Sequence, residues 1–169
     1  MDKYKVMASN SIMFFQSSKV LKKVLDATAL SEDKHIMANF FIPYIVNQAF
    51  AAEMAMKAIL SKEAINYKKI HKLDELFYEL PNQIQLDIAD RIKTQFNFIH
   101  DEFEQQLCKV GSAFVDWRYF HEKSNSIKVD FFIAFSEMIC NKCYELCKEN
   151  GVNQHEISIQ DTAIPDGSR

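Results

Sequence analysis

Glycine and proline are both scarce in this chain, with three residues of each among 169. Average proteins contain about 7% glycine and about 5% proline. Tight turns depend on these two residues, so the composition disfavours a fold of many short strands. It predicts a few long helices instead, and a hydrophobic content of 48% is enough for one buried core.

The sequence signatures of several enzyme classes are also missing. The three glycines, at positions 111, 151 and 167, stand too far apart to form a loop that cradles phosphate. Neither His-Glu-x-x-His nor Gly-x-Ser-x-Gly occurs. These absences exclude the common signatures of nucleotide hydrolases, dehydrogenases, zinc proteases and serine hydrolases.

Positive charge is not in excess. The chain has 20 Lys and Arg residues against 23 Asp and Glu residues, which gives a formal net charge of −3. A broad electrostatic grip on duplex nucleic acid rests on many basic residues and is therefore disfavoured. A local basic patch is still compatible with this composition.

Long apolar runs are absent as well. No stretch reaches the roughly 18 apolar residues that a membrane span requires. The first residues carry neither a sustained apolar run nor a small-residue cleavage site. We therefore expect no signal peptide and no membrane association, and we expect the four cysteines to be reduced thiols of a cytoplasmic protein.

Apolar residues recur at helical spacing and predict six helices, over residues 10–27, 42–61, 71–80, 82–108, 112–122 and 127–149. Asn10 or Ser11 is expected to cap the first helix, and Pro43 to occupy the first turn of the second. Gly111 is expected to break the fourth. Residues 1–151 are predicted to form a single domain, followed by a flexible tail over residues 152–169.

Three cysteines, Cys140, Cys143 and Cys147, fall on one face of the last predicted helix. A structural zinc site needs four ligands, usually from two chain segments. The same helix face carries Phe135 and Ile139, and cysteine is among the most buried residue types. We therefore predict that these thiols pack in the core, and we expect no metal site and no cofactor.

Two charged residues interrupt the most apolar predicted helix. Glu53 and Lys57 stand four residues apart, with the acid first, which is the favourable order for a helical pair. A buried charge is costly unless it is paired, so Glu53 is expected to meet a cation. Lys57 is the local candidate and Arg118 the distant one. The pair either fixes helix register, or Glu53 orients Arg118 towards a phosphate.

Three segments carry a resemblance to a known family: AFAAEMAMKAIL at 49–60, HKLDELFYEL at 71–80 and FVDWRYFHE at 114–122. Together they resemble the HEPN superfamily (higher eukaryotes and prokaryotes nucleotide-binding), most closely its stand-alone bacterial members, over about residues 38–150. The resemblance implies an all-α, up-and-down bundle of four to six helices, commonly a homodimer. It also implies a role in toxin–antitoxin or abortive-infection systems, with an antitoxin or other protein partner.

Many HEPN proteins are metal-independent ribonucleases that use an Arg followed, after four to six residues, by a His. Here Arg118 precedes His121 with a gap of only two residues, so the chain departs from that motif. The two would still share a helix face, and they are the candidate catalytic residues. The resemblance and the charge pattern add Lys57, His71 and Tyr119 as candidates for binding substrate or phosphate, and Glu53 and Glu122 as orienting or structural residues. His71 matches the family's His-x-Leu position, which we interpret mainly as structural.

Three functions compete on this basis. The favoured one is an HEPN-like domain that binds RNA, a nucleotide or a protein partner and is catalytically weak or inactive. The alternatives are a metal-independent endoribonuclease that uses Arg118 and His121, and a helical interaction protein without a nucleic-acid role. Five lysines near residues 57–72 could meet a phosphate backbone, or could simply be solvated: Lys57, Lys62, Lys68, Lys69 and Lys72.

Overall fold

The computed structural model describes residues 2–28, 34–67, 69–111 and 129–148. Consistent with the helical periodicity of the sequence, these residues form six α-helices and no strand. The helices are α1 (Lys3–Thr28), α2 (Lys34–Lys62), α3 (Leu73–Glu79), α4 (Asn82–Phe96), α5 (His100–Gly111) and α6 (Val129–Lys148). The predicted all-α bundle is confirmed. The helix predicted at 112–122 and the tail predicted at 152–169 lie outside the described residues.

Helix α2 is the centre of the bundle, with α1 packed along one side and α6 along another. Its middle is buried on every side, and small residues dominate there: Ala51, Ala52, Ala55 and Ala58. Small side chains let neighbouring helix backbones approach closely. The hydroxyl of Ser11 on α1 uses this proximity and donates a hydrogen bond to the backbone oxygen of Ala51, at 2.9 Å.

A cluster of aromatic side chains from α3, α5 and α6 forms a second part of the core. Phe77 of α3, Phe103 of α5, and Phe131 and Phe135 of α6 are all almost fully buried. Their ring centroids lie 5.7 to 6.3 Å apart in neighbouring pairs, within the range of favourable aromatic contacts. A helix of seven residues would not be stable alone, so α3 depends on the packing of these rings against the bundle.

The starts of the first two helices were predicted too late in the chain. Helix α1 already begins at Lys3, so Ser11 lies in mid-helix and bonds across to α2 instead of capping α1. Helix α2 begins at Lys34, which places Pro43 inside the helix and not in its first turn. An interior proline costs about 3 kcal/mol. Burial of Tyr44 and Ile45 against the rest of the core offsets that cost.

The single long helix predicted over 82–108 is wrong, because the chain forms α4 and α5 there. Asn97 ends α4 with a left-handed backbone, at a φ of 53°. The Phe98 N–H then reaches back to the Lys93 oxygen at 2.9 Å, and the Glu102 carboxylate accepts the Ile99 N–H at 3.0 Å. The break also turns Ile99 outward, where it is 65% exposed.

Gly111 is the last described residue of α5, and a close approach explains why the position is glycine. The carboxylate of Asp74 on α3 occupies the space that a β-carbon at position 111 would fill. A larger residue at 111 would therefore require the Asp74 side chain to move.

We expect Asn97→Val to destabilise the protein by about 1–2 kcal/mol, because a β-branched residue bears the full steric cost of the left-handed conformation. Asn97→Gly should leave the free energy of unfolding nearly unchanged, since glycine adopts this conformation freely. Urea denaturation of both variants measures the difference. Equal stability of the two would mean that α4 does not end in a left-handed residue.

Candidate functional site

The Glu53 carboxylate lies in the apolar middle of α2, with only 3% of its side chain exposed. The Lys57 ammonium, one helical turn further on, donates to Glu53 Oε1 at 2.6 Å. The Lys57 side chain is itself only 10% exposed. The contact with Lys57, the local partner expected from the sequence, is therefore confirmed, while Arg118 lies outside the described residues.

His71 is a second partner of the same carboxylate. Its Nδ1 lies 2.9 Å from Glu53 Oε1, while 70% of its side chain remains exposed. A carboxylate can only accept a hydrogen bond, so Nδ1 carries the proton in this contact. The other ring nitrogen, Nε2, is then free to exchange protons with solvent or to contact a ligand. We call Glu53, Lys57 and His71 the Glu53 cluster.

A tight reversal after α2 brings His71 back over Glu53. Ala64 adopts a left-handed backbone, at a φ of 54°, just beyond the last residue of the helix. The Ile65 N–H bonds to the Leu60 oxygen at 2.9 Å, and the Ala64 N–H bonds to the Ser61 oxygen at 3.4 Å. This pair of bonds is a Schellman ending. It folds residues 63–67 and 69–72, which we call the connector, back along the helix.

A pocket of about 420 Å³ opens beside the Glu53 cluster. Helix α1, helix α2 and the connector all contribute to its wall, and its described lining contains no acidic residue: Lys3, Met7, Met54, Lys57, Tyr67, Lys69 and His71. We call it the basic pocket. Its size lies within the usual range for small-molecule sites. Because the described residues that line the pocket carry positive charges and no negative charge, the pocket is suited to binding an anion.

The Tyr67 side chain shapes the apolar part of the basic pocket. Its hydroxyl lies 3.4 Å from the Met7 sulfur, and the Lys3 ammonium lies 5.4 Å from the centre of its ring. The tyrosine therefore holds α1 and the connector together and keeps a lysine at the rim.

A comparison with protein-family models matches the HEPN domain over residues 45–149. The matched range contains all three residues of the Glu53 cluster. The chain belongs to the HEPN family. No curated protein and no solved structure matches the chain.

The described part of this HEPN domain brings together three of the residues predicted for the site: Glu53, Lys57 and His71. The remaining candidates lie outside the described residues, and their roles stay predictions: Arg118, Tyr119, His121 and Glu122.

The described lysines around the connector have different partners. Lys62 donates to the Leu146 oxygen on α6 at 2.5 Å, and Lys72 pairs with Glu75 at 2.9 Å. Lys68 lies outside the described residues. Among the four of these lysines that the structure describes, Lys57 and Lys69 line the basic pocket.

The pocket also uses residues that the sequence analysis missed. Lys3 and Met7 belong to a part of α1 that was not predicted to be helical, and Met54 and Tyr67 resemble ordinary core residues. No local sequence signal relates Lys3 to Lys57, because only the packing of α1 on α2 brings them to the same place.

The three cysteines of α6 in this HEPN domain are core residues, as predicted. Cys140, Cys143 and Cys147 are all buried, and burial raises the pKa of the Cys140 thiol to about 12. Within the described ranges no group of His, Cys, Asp and Glu side chains is arranged to hold a metal ion. None of the helices described there is long and apolar enough to cross a membrane.

Glu53→Ala should destabilise the domain by about 3–5 kcal/mol, because it leaves the Lys57 ammonium buried without its counter-charge. The double variant Glu53→Gln/Lys57→Met removes both charges and should recover most of that loss. Thermal and urea denaturation measure both variants. A single variant as stable as the wild type would show that the carboxylate is not buried against a cation.

Alkylation by iodoacetamide should label Cys108 in the native protein and spare the other three cysteines, since Cys108 alone among the four is exposed. Thiolate access governs this reaction. Mass spectrometry of the native and urea-unfolded protein provides the comparison. Labelling of Cys147 as fast as Cys108 would contradict the packing of α6.

Proposed function

We propose that this HEPN domain binds RNA through the basic pocket and is catalytically weak or inactive, in a defence or stress context. The observation that carries the proposal is the Glu53 cluster at the edge of that pocket. A buried carboxylate holds Lys57 and His71 in place, and Lys3 and Lys69 add two further cations around the same hollow.

The local charge matters because the chain as a whole is acidic. At a net charge of −3, non-specific attraction to a polyanion is weak. Binding of a phosphate group therefore requires a site where positive charges are concentrated locally. Lysine side chains provide the contacts to phosphate oxygens that position a nucleic acid on a protein.

Weak or absent catalysis is proposed because Arg118 and His121 do not have the spacing of the HEPN ribonuclease motif. The alternative is a metal-independent endoribonuclease that uses these two residues, with His121 moving protons and Arg118 stabilising the phosphate. For either function we propose a homodimer in the cytoplasm, with an antitoxin or another protein as partner.

RNA binding should depend on salt and on Lys69. We expect Lys69→Ala to weaken binding of a single-stranded RNA and to reduce the slope of log K against log salt concentration by about 0.7, the value for one lost phosphate contact. Lys72→Ala is the matched control, because Lys72 already pairs with Glu75 outside the pocket. Fluorescence anisotropy at several salt concentrations measures both slopes.

An RNA affinity that is unchanged by Lys69→Ala would contradict binding through the basic pocket. The absence of any RNA complex at low salt would contradict it too. The same RNA incubated in EDTA tests the alternative. Cleavage that disappears in both Arg118→Ala and His121→Ala, each with an unchanged melting curve, would establish the endoribonuclease. A partner that binds without RNA would favour the protein-interaction function.

A further inference from the structure

The number of charges at the basic pocket restricts the kind of phosphate that it can hold. Among the described residues three lysines line the pocket, and the Glu53 carboxylate neutralises one of them, Lys57. With His71 neutral, the formal charge left at the pocket is therefore about +2. A protonated His71 would increase it further, because its ring is exposed to the same space.

Two kinds of phosphate occur in RNA, and they differ in charge. An internal phosphodiester carries one negative charge. A phosphomonoester at a chain end or on a mononucleotide carries about −1.5 to −2 at pH 7, with three strong acceptor oxygens. The monoester matches the charge of the pocket more closely than the diester does. Its extra oxygens can accept from Lys69 and Lys3 together, and from Nε2 of His71 when that ring is protonated on both nitrogens.

The described lysines next to the pocket are engaged with other partners. Lys5 pairs with Asp2 at 3.4 Å, Lys72 pairs with Glu75, and Lys62 bonds to a backbone oxygen of α6. An internal stretch of RNA needs a basic groove that runs along its backbone. Among the described residues, the basic side chains around the connector form one isolated site instead.

The apolar wall of the pocket suits the sugar or base that is attached to a terminal phosphate. Met7, Met54 and Tyr67 line it beside the cations. A volume of about 420 Å³ has room for more than a bare phosphate ion. A sugar or base bound there would cover this apolar surface and gain contact energy from it.

We propose that the basic pocket binds a phosphomonoester, either the terminal phosphate of an RNA strand or the phosphate of a free mononucleotide. The inference rests on the proposed RNA-binding function and specifies the chemical group that is recognised. His71 donates to the phosphate from Nε2 when its ring is protonated on both nitrogens, and its Nδ1 bond to Glu53 directs Nε2 away from the carboxylate. Lys57, Lys69 and Lys3 supply the balancing charge. Helix α1 lies before residue 45, where the HEPN match begins, so Lys3 and Met7 belong to this chain's own contribution.

The test uses one RNA sequence in three forms: with a 5′-phosphate, with a 3′-phosphate, and with hydroxyl groups at both ends. We expect one phosphorylated form to bind at least about ten-fold more tightly than the hydroxyl form, the gain typical of hydrogen bonds to a charged group. His71→Ala and Lys69→Ala should remove this preference. Lys72→Ala should retain it, and melting transitions well above the assay temperature show that all three variants are folded.

Adenosine monophosphate, as a competitor, distinguishes the two sources of the phosphate. Displacement of the RNA only by a large excess assigns the site to an RNA end, and displacement at comparable concentrations assigns it to a free nucleotide. Binding of the monophosphate without any RNA complex would support the inference and refute the proposed RNA function. Equal affinity for all three RNA forms, reduced by Lys69→Ala, would overturn the inference and leave RNA binding intact. A preference for phosphorylated ends that survives both His71→Ala and Lys69→Ala would also overturn it.

Discussion

A single buried carboxylate, Glu53, is the constraint on which the rest of the site depends. It lies where α2 is otherwise lined by alanine, methionine and isoleucine, so it must have partners. Lys57 satisfies it from within the helix, and His71 satisfies it from the connector. The same oxygen therefore ties a loop to the central helix and gives the pocket beside it a definite shape.

Much of the fold could be predicted, because the apolar pattern of the helices is strong. Burial of Leu73, Leu76 and Phe77 agrees with their spacing. The break at Asn97 could not be predicted in this way, since apolar residues continue on both sides of it. A left-handed residue is a property of one backbone position, and asparagine signals it only weakly.

The candidate site was predictable in its local part only. Glu53 and Lys57 are four residues apart on one helix, so their contact needs no tertiary information. The contact between His71 and Glu53 spans 18 residues and depends on the reversal at Ala64. Lys3 reaches the pocket through the packing of α1 on α2, which no spacing in the sequence encodes. The Arg118 segment lies outside the described residues, so its part in the site stays a prediction.

Three chain segments form the pocket wall, and they differ in how freely their residues can be substituted without loss of stability. Glu53, Lys57 and His71 serve the stability of the core as well as the pocket, so substitutions there affect both at once. Lys3 is exposed near the start of α1 and has no such dual role. Substitutions at the start of that helix can alter the charge of the rim while the buried ion pair stays intact. Ligand preference could therefore diverge between relatives that share the same core.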